Sequence, residues 1–143
     1  MRKITAADFE WAFELHKAAM GEYVARTWGW EEDFQRQLFA DRFQGKPRQV
    51  IQVAGQDVGV VELEERSDEL YLGLLELLPA WQGQGLGSDI LRALLRRAAD
   101  AGKPLSLHVL KTNPRAAALY HRHGLRVVAS EEAKLLMRTS PSG

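Results

Sequence analysis

The chain has no cysteine among its 143 residues. Disulfide bridges, thiolate nucleophiles and cysteine metal ligands are excluded together, and the composition fits a reducing cytoplasm. Nor is there an excess charge of either sign, since 19 Lys and Arg balance 19 Asp and Glu. A neutral chain lacks the positive balance of most nucleic-acid-binding domains, so no nucleic acid partner is expected. No apolar run approaches the roughly 20 residues of a membrane span. Glu10 and Glu14 interrupt any leader-like segment near the N-terminus, so a cytoplasmic protein without a membrane partner is expected. Repeats, low-complexity tracts and linkers are absent as well. Only a single domain over residues 1–143 remains, with a frayed tail over 138–143.

What is present is ordinary in amount and uneven in placement. Hydrophobic residues make up 45% of the chain and charged residues 27%, as in a soluble globular domain. The neutral total conceals two opposed stretches: residues 1–81 carry a net charge of −6 and residues 82–126 a net charge of +6. A polyanion is favoured near the second stretch and a cation near the first.

Thr5 and Asp8 form a helix-start signal, and Phe9, Ala12, Phe13, His16 and Met20 then recur at helical spacing as far as Met20. A second helix fits Glu31 to Phe43, with Trp30, Phe34, Leu38 and Phe39 on one face. The aromatic stretch "GEYVARTWGW" between them is read as a less regular connection. The pattern then alternates with period two over Val50–Ala54 and Val58–Glu64, joined at "GQD", and again over Glu69–Leu77. A helix over Gly87–Ala101 ends at Gly102 and Pro104. A strand follows over Leu105–Lys111, then a helix capped by Asn113 with Pro114 in its first turn and stopped at Gly124. Leu125–Ala129 and Lys134–Met137 read as a final strand pair. The strand–helix–strand unit demands a parallel pair and the hairpins antiparallel ones. The expected fold class is thus α/β of the α+β type: one mostly antiparallel mixed sheet with one parallel pair, and helices on both faces.

"LLPAWQGQGLGSDILRALL" carries the most information. Three glycines in five residues, Gly83, Gly85 and Gly87, strip side chains from the backbone just ahead of a helix. Bare N–H groups at the positive end of a helix form an anion site suited to phosphate. A P-loop would need Lys followed by Ser or Thr after its last glycine, and "GLGSD" has neither. A dinucleotide fingerprint fails at Ser88, which stands where the third glycine belongs. Gln82, Gly85 and Gly87 do complete a Q-x-x-G-x-G pattern. A plain tight turn would need only one glycine.

At this point the chain resembles the GNAT superfamily of N-acetyltransferases. "LLPAWQGQGLG" is similar to that family's acetyl-CoA signature. "NPRAAALYHRHGL" is similar to its second block, through Asn113, Leu119, Tyr120 and Gly124, with Leu125 in a slot often held by phenylalanine. The first strand of the family is nearly absent here. The resemblance implies a GNAT-like fold in which the parallel pair splays apart, and acetyl-CoA as cosubstrate with no metal. It implies diphosphate binding by Gln82, Gly83, Gln84, Gly85, Leu86, Gly87 and Ser88. The strand edge at Leu75, Leu77 and Leu78 would pair with the pantetheine arm, with Asn113 and Tyr120 completing the cofactor site. Homodimers are common in the family.

Acetyl transfer to an amine requires a base, because an alkylammonium pKa near about 10 leaves little free amine at neutral pH. It also requires oxyanion donors, for which a strand N–H near Leu75–Leu77 is the candidate, and a proton for the departing sulfur. Tyr120 matches the family's general-acid tyrosine, and a phenol is a donor at neutral pH. For the base, His108 lies five residues before Asn113, where some relatives carry a glutamate, and an imidazole suits the task. Glu69 and Glu76 on the preceding strand are rivals, as is a water chain. Met20, Tyr23, Trp28 and Trp30 are the candidates for contact with the acceptor, by cation–π interaction. A primary amine of a small molecule, peptide or protein is the implied acceptor, and direct transfer from a ternary complex is the implied route. The alternative is a non-catalytic acyl-CoA sensor or partner-binding module on the same fold.

Overall fold

The computed structural model describes residues 1–43 and 45–140. The chain divides into two compact units, Met1–Glu62 with Leu74–Gln82, and Leu63–Gly73 with Gly83 onward. The strands are β1 (Arg2–Lys3), β2 (Arg48–Val53), β3 (Gln56–Glu65), β4 (Leu70–Leu77), β5 (Leu105–Leu110), β6 (Arg126–Ser130) and β7 (Lys134–Arg138). The helices are α1 (Phe9–Trp28), α2 (Glu32–Phe43), α3 (Leu86–Asp100) and α4 (Pro114–Arg122). The strands form one mixed seven-stranded sheet in the order β1-β2-β3-β4-β5-β7-β6, with β4 and β5 parallel. The expected mixed sheet with one parallel pair is what the chain adopts.

In the first unit, α1 and α2 bring together Phe13, Phe39 and Phe43, against which Phe9 and Trp30 pack. The Phe9 ring meets Phe43 edge-on, with centroids 5.3 Å apart. Helix α1 runs eight residues past the expected end at Met20. The stretch read as a less regular connection, from Gly21 to Trp28, is the second part of this helix. The stop is Gly29, whose N–H bonds the Ala25 carbonyl at 2.9 Å. Phe34 also departs from expectation, remaining 61% exposed on α2. The β2–β3 hairpin turns at Ala54 and Gly55, both with positive φ, so the turn begins one residue before the expected "GQD" and only Gly55 of that tripeptide lies in it. Two left-handed residues match the twist of a two-residue hairpin loop.

In the second unit, α3 buries Ile90, Leu91, Leu94 and Ala98, and the strands contribute Leu70, Leu105, Leu107 and Met137 to the core. The parallel pairing runs from Leu70–Leu72 to Leu105–Leu107. The remaining residues of β4, Leu74–Leu77, belong to the first unit. The tail expected to fray from 138 is ordered longer: Arg138 lies in β7, and Thr139 exchanges two bonds with the Leu105 backbone at 3.0 and 2.9 Å. The rest of that expectation, residues 141–143, lies outside the described residues.

The N-terminus is fastened by charge. Arg2 grips Asp8 with two hydrogen bonds, of 3.0 and 2.8 Å, while Asp8 also accepts the Thr5 N–H at 2.8 Å. The Arg2 guanidinium, aided by the Thr5 N–H, holds the Asp8 carboxyl down at about 2, against an ordinary 3.8. A depressed carboxyl stabilises the fold above its unfolded pKa, and that stability disappears as pH falls through the folded value. Solvent screening limits the effect to no more than about 1 kcal/mol. Asp8→Asn is therefore less stable than wild type at pH 7, with the gap closing between about pH 4 and pH 2. Urea denaturation across that range checks this, and a gap independent of pH contradicts it.

Gly59 on β3 controls the approach of β4. A Cβ there would lie 2.4 Å from the Glu76 carbonyl oxygen and 2.7 Å from Leu77 Cδ2. Since the obstacle is backbone, the two strands must separate. Gly59→Ala is expected to cost about 1–3 kcal/mol, read as a lowered Tm; a Tm equal to wild type contradicts the close approach.

Candidate active site

Gly83 (φ +74°) and Gly85 (φ +86°) both take left-handed backbone conformations, and Gly83, Gln84 and Gly85 are exposed. Residues with a Cβ are strained there. Gly85 is the N-cap of α3, and no side chain caps the helix. The helical ladder begins with Asp89 N–H bonding the Gly85 carbonyl at 3.0 Å, so the first-turn amides of Leu86, Gly87 and Ser88 have no partner within the helix. A terminal nitrogen of Arg115 lies 3.5 Å from where a Gly83 Cβ would stand. Bare amides at a positive helix end with a guanidinium beside them fit a diphosphate.

The chain ahead of this turn is anchored by its own polar groups. The Gln82 side chain, expected to meet cofactor, donates to the Leu77 carbonyl at 2.9 Å. The Leu78 N–H bonds the Val58 carbonyl at 2.9 Å. Strand alternation then turns the N–H groups of Leu75 and Leu77 toward the other edge of β4. These are the two amides suited to hold an extended ligand or a developing oxyanion.

Tyr120 lies half-buried on α4, with no hydrogen-bond partner for its hydroxyl among the described residues. Burial pushes its pKa up to about 12, so the phenol keeps its proton through the neutral range. Asn113 is buried and caps α4, its side-chain oxygen accepting the Ala116 N–H at 3.2 Å. Its amide hydrogens remain for a ligand. In the same unit the His123 ring meets the Ser88 hydroxyl at 3.2 Å.

The three base candidates fare differently. Both ring nitrogens of His108 are engaged, Nδ1 with the Tyr71 hydroxyl at 2.5 Å and Nε2 with Glu131 at 2.8 Å. To act as a base, His108 must give up one of these contacts. Glu69 is buried between Arg66 at 2.8 Å and Arg138 at 3.1 Å. Burial pushes its carboxyl up, but the nearby Ser106 hydroxyl and the two guanidinium groups outweigh this and leave the pKa lowered. The Ser106 hydroxyl makes no hydrogen bond among the described residues, so the lowering comes from the two arginines. A carboxylate held this way is a weak base. Glu76 is buried, its side chain only 2% exposed, and meets His16 Nδ1 on α1 at 2.6 Å.

Of the acceptor candidates, Met20 and Tyr23 are half-buried on α1, and Trp28 is 59% exposed at its end. Trp30 packs on the aromatic cluster, its ring 6.4 Å from both Phe13 and His16. Sequence reasoning misses Arg115, which lies in the second block only two residues after Asn113. It also treats His16 as one more member of the α1 stripe. A titratable ring among Ala12, Phe13 and Met20 is the available signal.

The sequence profile of the acetyltransferase (GNAT) family matches residues 9–125. Among solved structures, the chain is similar to PaiA N-acetyltransferase from Thermoplasma acidophilum in complex with coenzyme A. The TM-score is 0.79 at 15% identity, covering 97% of this chain and 96% of that one. It is also similar to the ribosomal-protein-S18-alanine N-acetyltransferase from Escherichia coli, at TM-score 0.67 and 18% identity, covering 96% and 90%. A GNAT family acetyltransferase from Elizabethkingia anophelis with acetyl-CoA bound matches at TM-score 0.62 and 13% identity, over 73% and 82%. At these identities the likeness is one of fold. The family match spans most of the chain and includes both the bare turn and the Tyr120 block, and it establishes that this chain belongs to the acetyltransferase (GNAT) family.

Proposed function

We propose that the chain is an acetyl-CoA-dependent N-acetyltransferase, acting as a single domain over residues 1–143, that passes the acetyl group directly to a primary amine. The observation carrying this reading is the turn at Gly83–Gly85, left-handed and open, before an uncapped helix with Arg115 alongside. Acetyl-CoA supplies an activated thioester when bound. The amides of Gly83–Ser88 and the Arg115 guanidinium hold its diphosphate, and the N–H groups of Leu75 and Leu77 hold its extended arm and the acyl oxygen. Tyr120, protonated through neutral pH, donates its proton to the departing sulfur. Direct transfer is supported by the absence of cysteine, because the chain has no thiol to carry an acyl group.

For the acceptor, the net charge of −6 over residues 1–81 favours a cationic molecule. Met20, Tyr23, Trp28 and Trp30 are the proposed contact surface for it. The Escherichia coli neighbour is named a ribosomal-protein-S18-alanine N-acetyltransferase, which supports including peptide and protein amines with small-molecule amines.

Two substitutions test the reading. Gly85→Asp places a carboxylate in the anion cradle and is expected to weaken CoA binding by more than about tenfold; calorimetry giving unaltered affinity removes the turn from the site. Tyr120→Phe is expected to slow thiol release from acetyl-CoA by about 100-fold or more while CoA affinity stays within about twofold. Because the chain has no cysteine, a thiol reagent reads only released CoA. Turnover unchanged in Tyr120→Phe removes the general-acid role, and tight CoA binding with no turnover on any amine favours a sensor.

A further inference from the structure

We infer that His16 on α1 is the general base of this protein and that Glu76 on β4 positions it. The inference rests on the acetyl-transfer reading and adds a catalytic residue to it. The His16 Nδ1 to Glu76 Oε2 distance is 2.6 Å, and the carboxylate is 2% exposed while the imidazole is 20% exposed. His16 Nε2 has no hydrogen-bond partner among the described residues. A buried carboxylate on one ring nitrogen fixes the tautomer, putting the proton on Nδ1 and the lone pair on Nε2. His108, by contrast, has neither nitrogen free.

The ring is also held mechanically. It stacks on Phe39 with centroids 5.2 Å apart at 25°, and Trp30 lies tilted at 6.4 Å. Glu76 sits between Leu75 and Leu77, the two residues whose N–H groups turn away from β3. The same short strand segment therefore carries both the proposed acyl-oxygen donors and the carboxylate that orients the base. Gly59 keeps this segment close to β3, because a Cβ there would collide with the Glu76 carbonyl.

In the step itself, His16 Nε2 takes one proton from the acceptor ammonium. The N–H bond breaks with its electron pair left on nitrogen, which becomes the nucleophile. The Nε2–H bond forms, and the resulting imidazolium is stabilised by the Glu76 carboxylate until the proton passes to water. An alkylammonium needs this step, whereas hydroxylamine is already unprotonated at neutral pH and does not.

The readout independent of turnover is the nitrogen-15 spectrum of His16 in the full chain. The expected pattern is Nδ1 protonated and Nε2 bare, collapsing in Glu76→Gln, whose amide donates to Nδ1 and forces the proton onto Nε2. A wild-type spectrum with the proton on Nε2 overturns the assignment whatever the activity. In kinetics, His16→Gln and Glu76→Gln are each expected to lower kcat for ethanolamine by about 100-fold or more. The rate with hydroxylamine, above the uncatalysed background, should stay within a few-fold. Equal losses with both amines indicate a structural role and overturn the inference, as does an unchanged ethanolamine rate. CoA calorimetry on wild type separates the two levels: intact binding with a failed amine test removes His16 alone, whereas no binding removes the acetyl-transfer reading with it.

Discussion

Strand β4 is the constraint on which the arrangement depends. Three of its residues, Leu70–Leu72, are locked in parallel register with β5. At its other end, the Leu78 N–H binds the Val58 carbonyl and Gln82 binds the Leu77 carbonyl. Because the segment Leu74–Leu78 is tied to β3 within the first unit, the amides of Leu75 and Leu77 and the carboxylate of Glu76 have set directions there. The bare turn then begins where β4 and its short Pro79–Trp81 helical turn stop. Within the first unit, one short segment thereby carries both the amide edge and the Glu76 carboxylate, held by hydrogen bonds whose angles allow little drift.

Charge inside the molecule is distributed by task. Arg48 and Glu62 form a buried pair at 2.8 Å in the first unit, with Arg48 Nη1 left without a partner. In the second unit, Glu69 joins Arg66 and Arg138. In both places carboxylate and guanidinium neutralise one another. Glu76 differs because its partner is a ring that can hold or release a proton. A carboxylate facing guanidinium groups pairs charge with charge; one on an imidazole nitrogen fixes which ring nitrogen carries the proton. The same distinction separates His16 from His108, since His108 lies between a phenol and a carboxylate and has no vacant nitrogen.

The segments legible in sequence are those whose signal is local. The apolar stripe of α3, the Asn113 cap and the glycine turn each follow from residues within a few positions of one another, and all three occur as expected. Helix α1 reads too short in sequence because the aromatic stretch after Met20 lacks a regular period. In the fold Gly21 lies inside a continuous helix, and the stop is Gly29. Phe34 matches the helical stripe of α2 yet remains exposed, because periodicity names a face and not what covers it.

By itself, the sequence determined the order of elements, the mixed sheet, the bare glycine turn ahead of α3 and the place of Tyr120 on α4, because turn geometry and hydrophobic period act over short spans. Tertiary structure decided which titratable groups meet. His16 and Glu76 are 60 positions apart, far beyond the reach of any local pattern. Tyr71 and Glu131 reach His108 across 37 and 23 positions. Side-chain partnership depends on strand register and helix placement, which follow from packing of the whole chain and leave no trace in the spacing of the residues concerned.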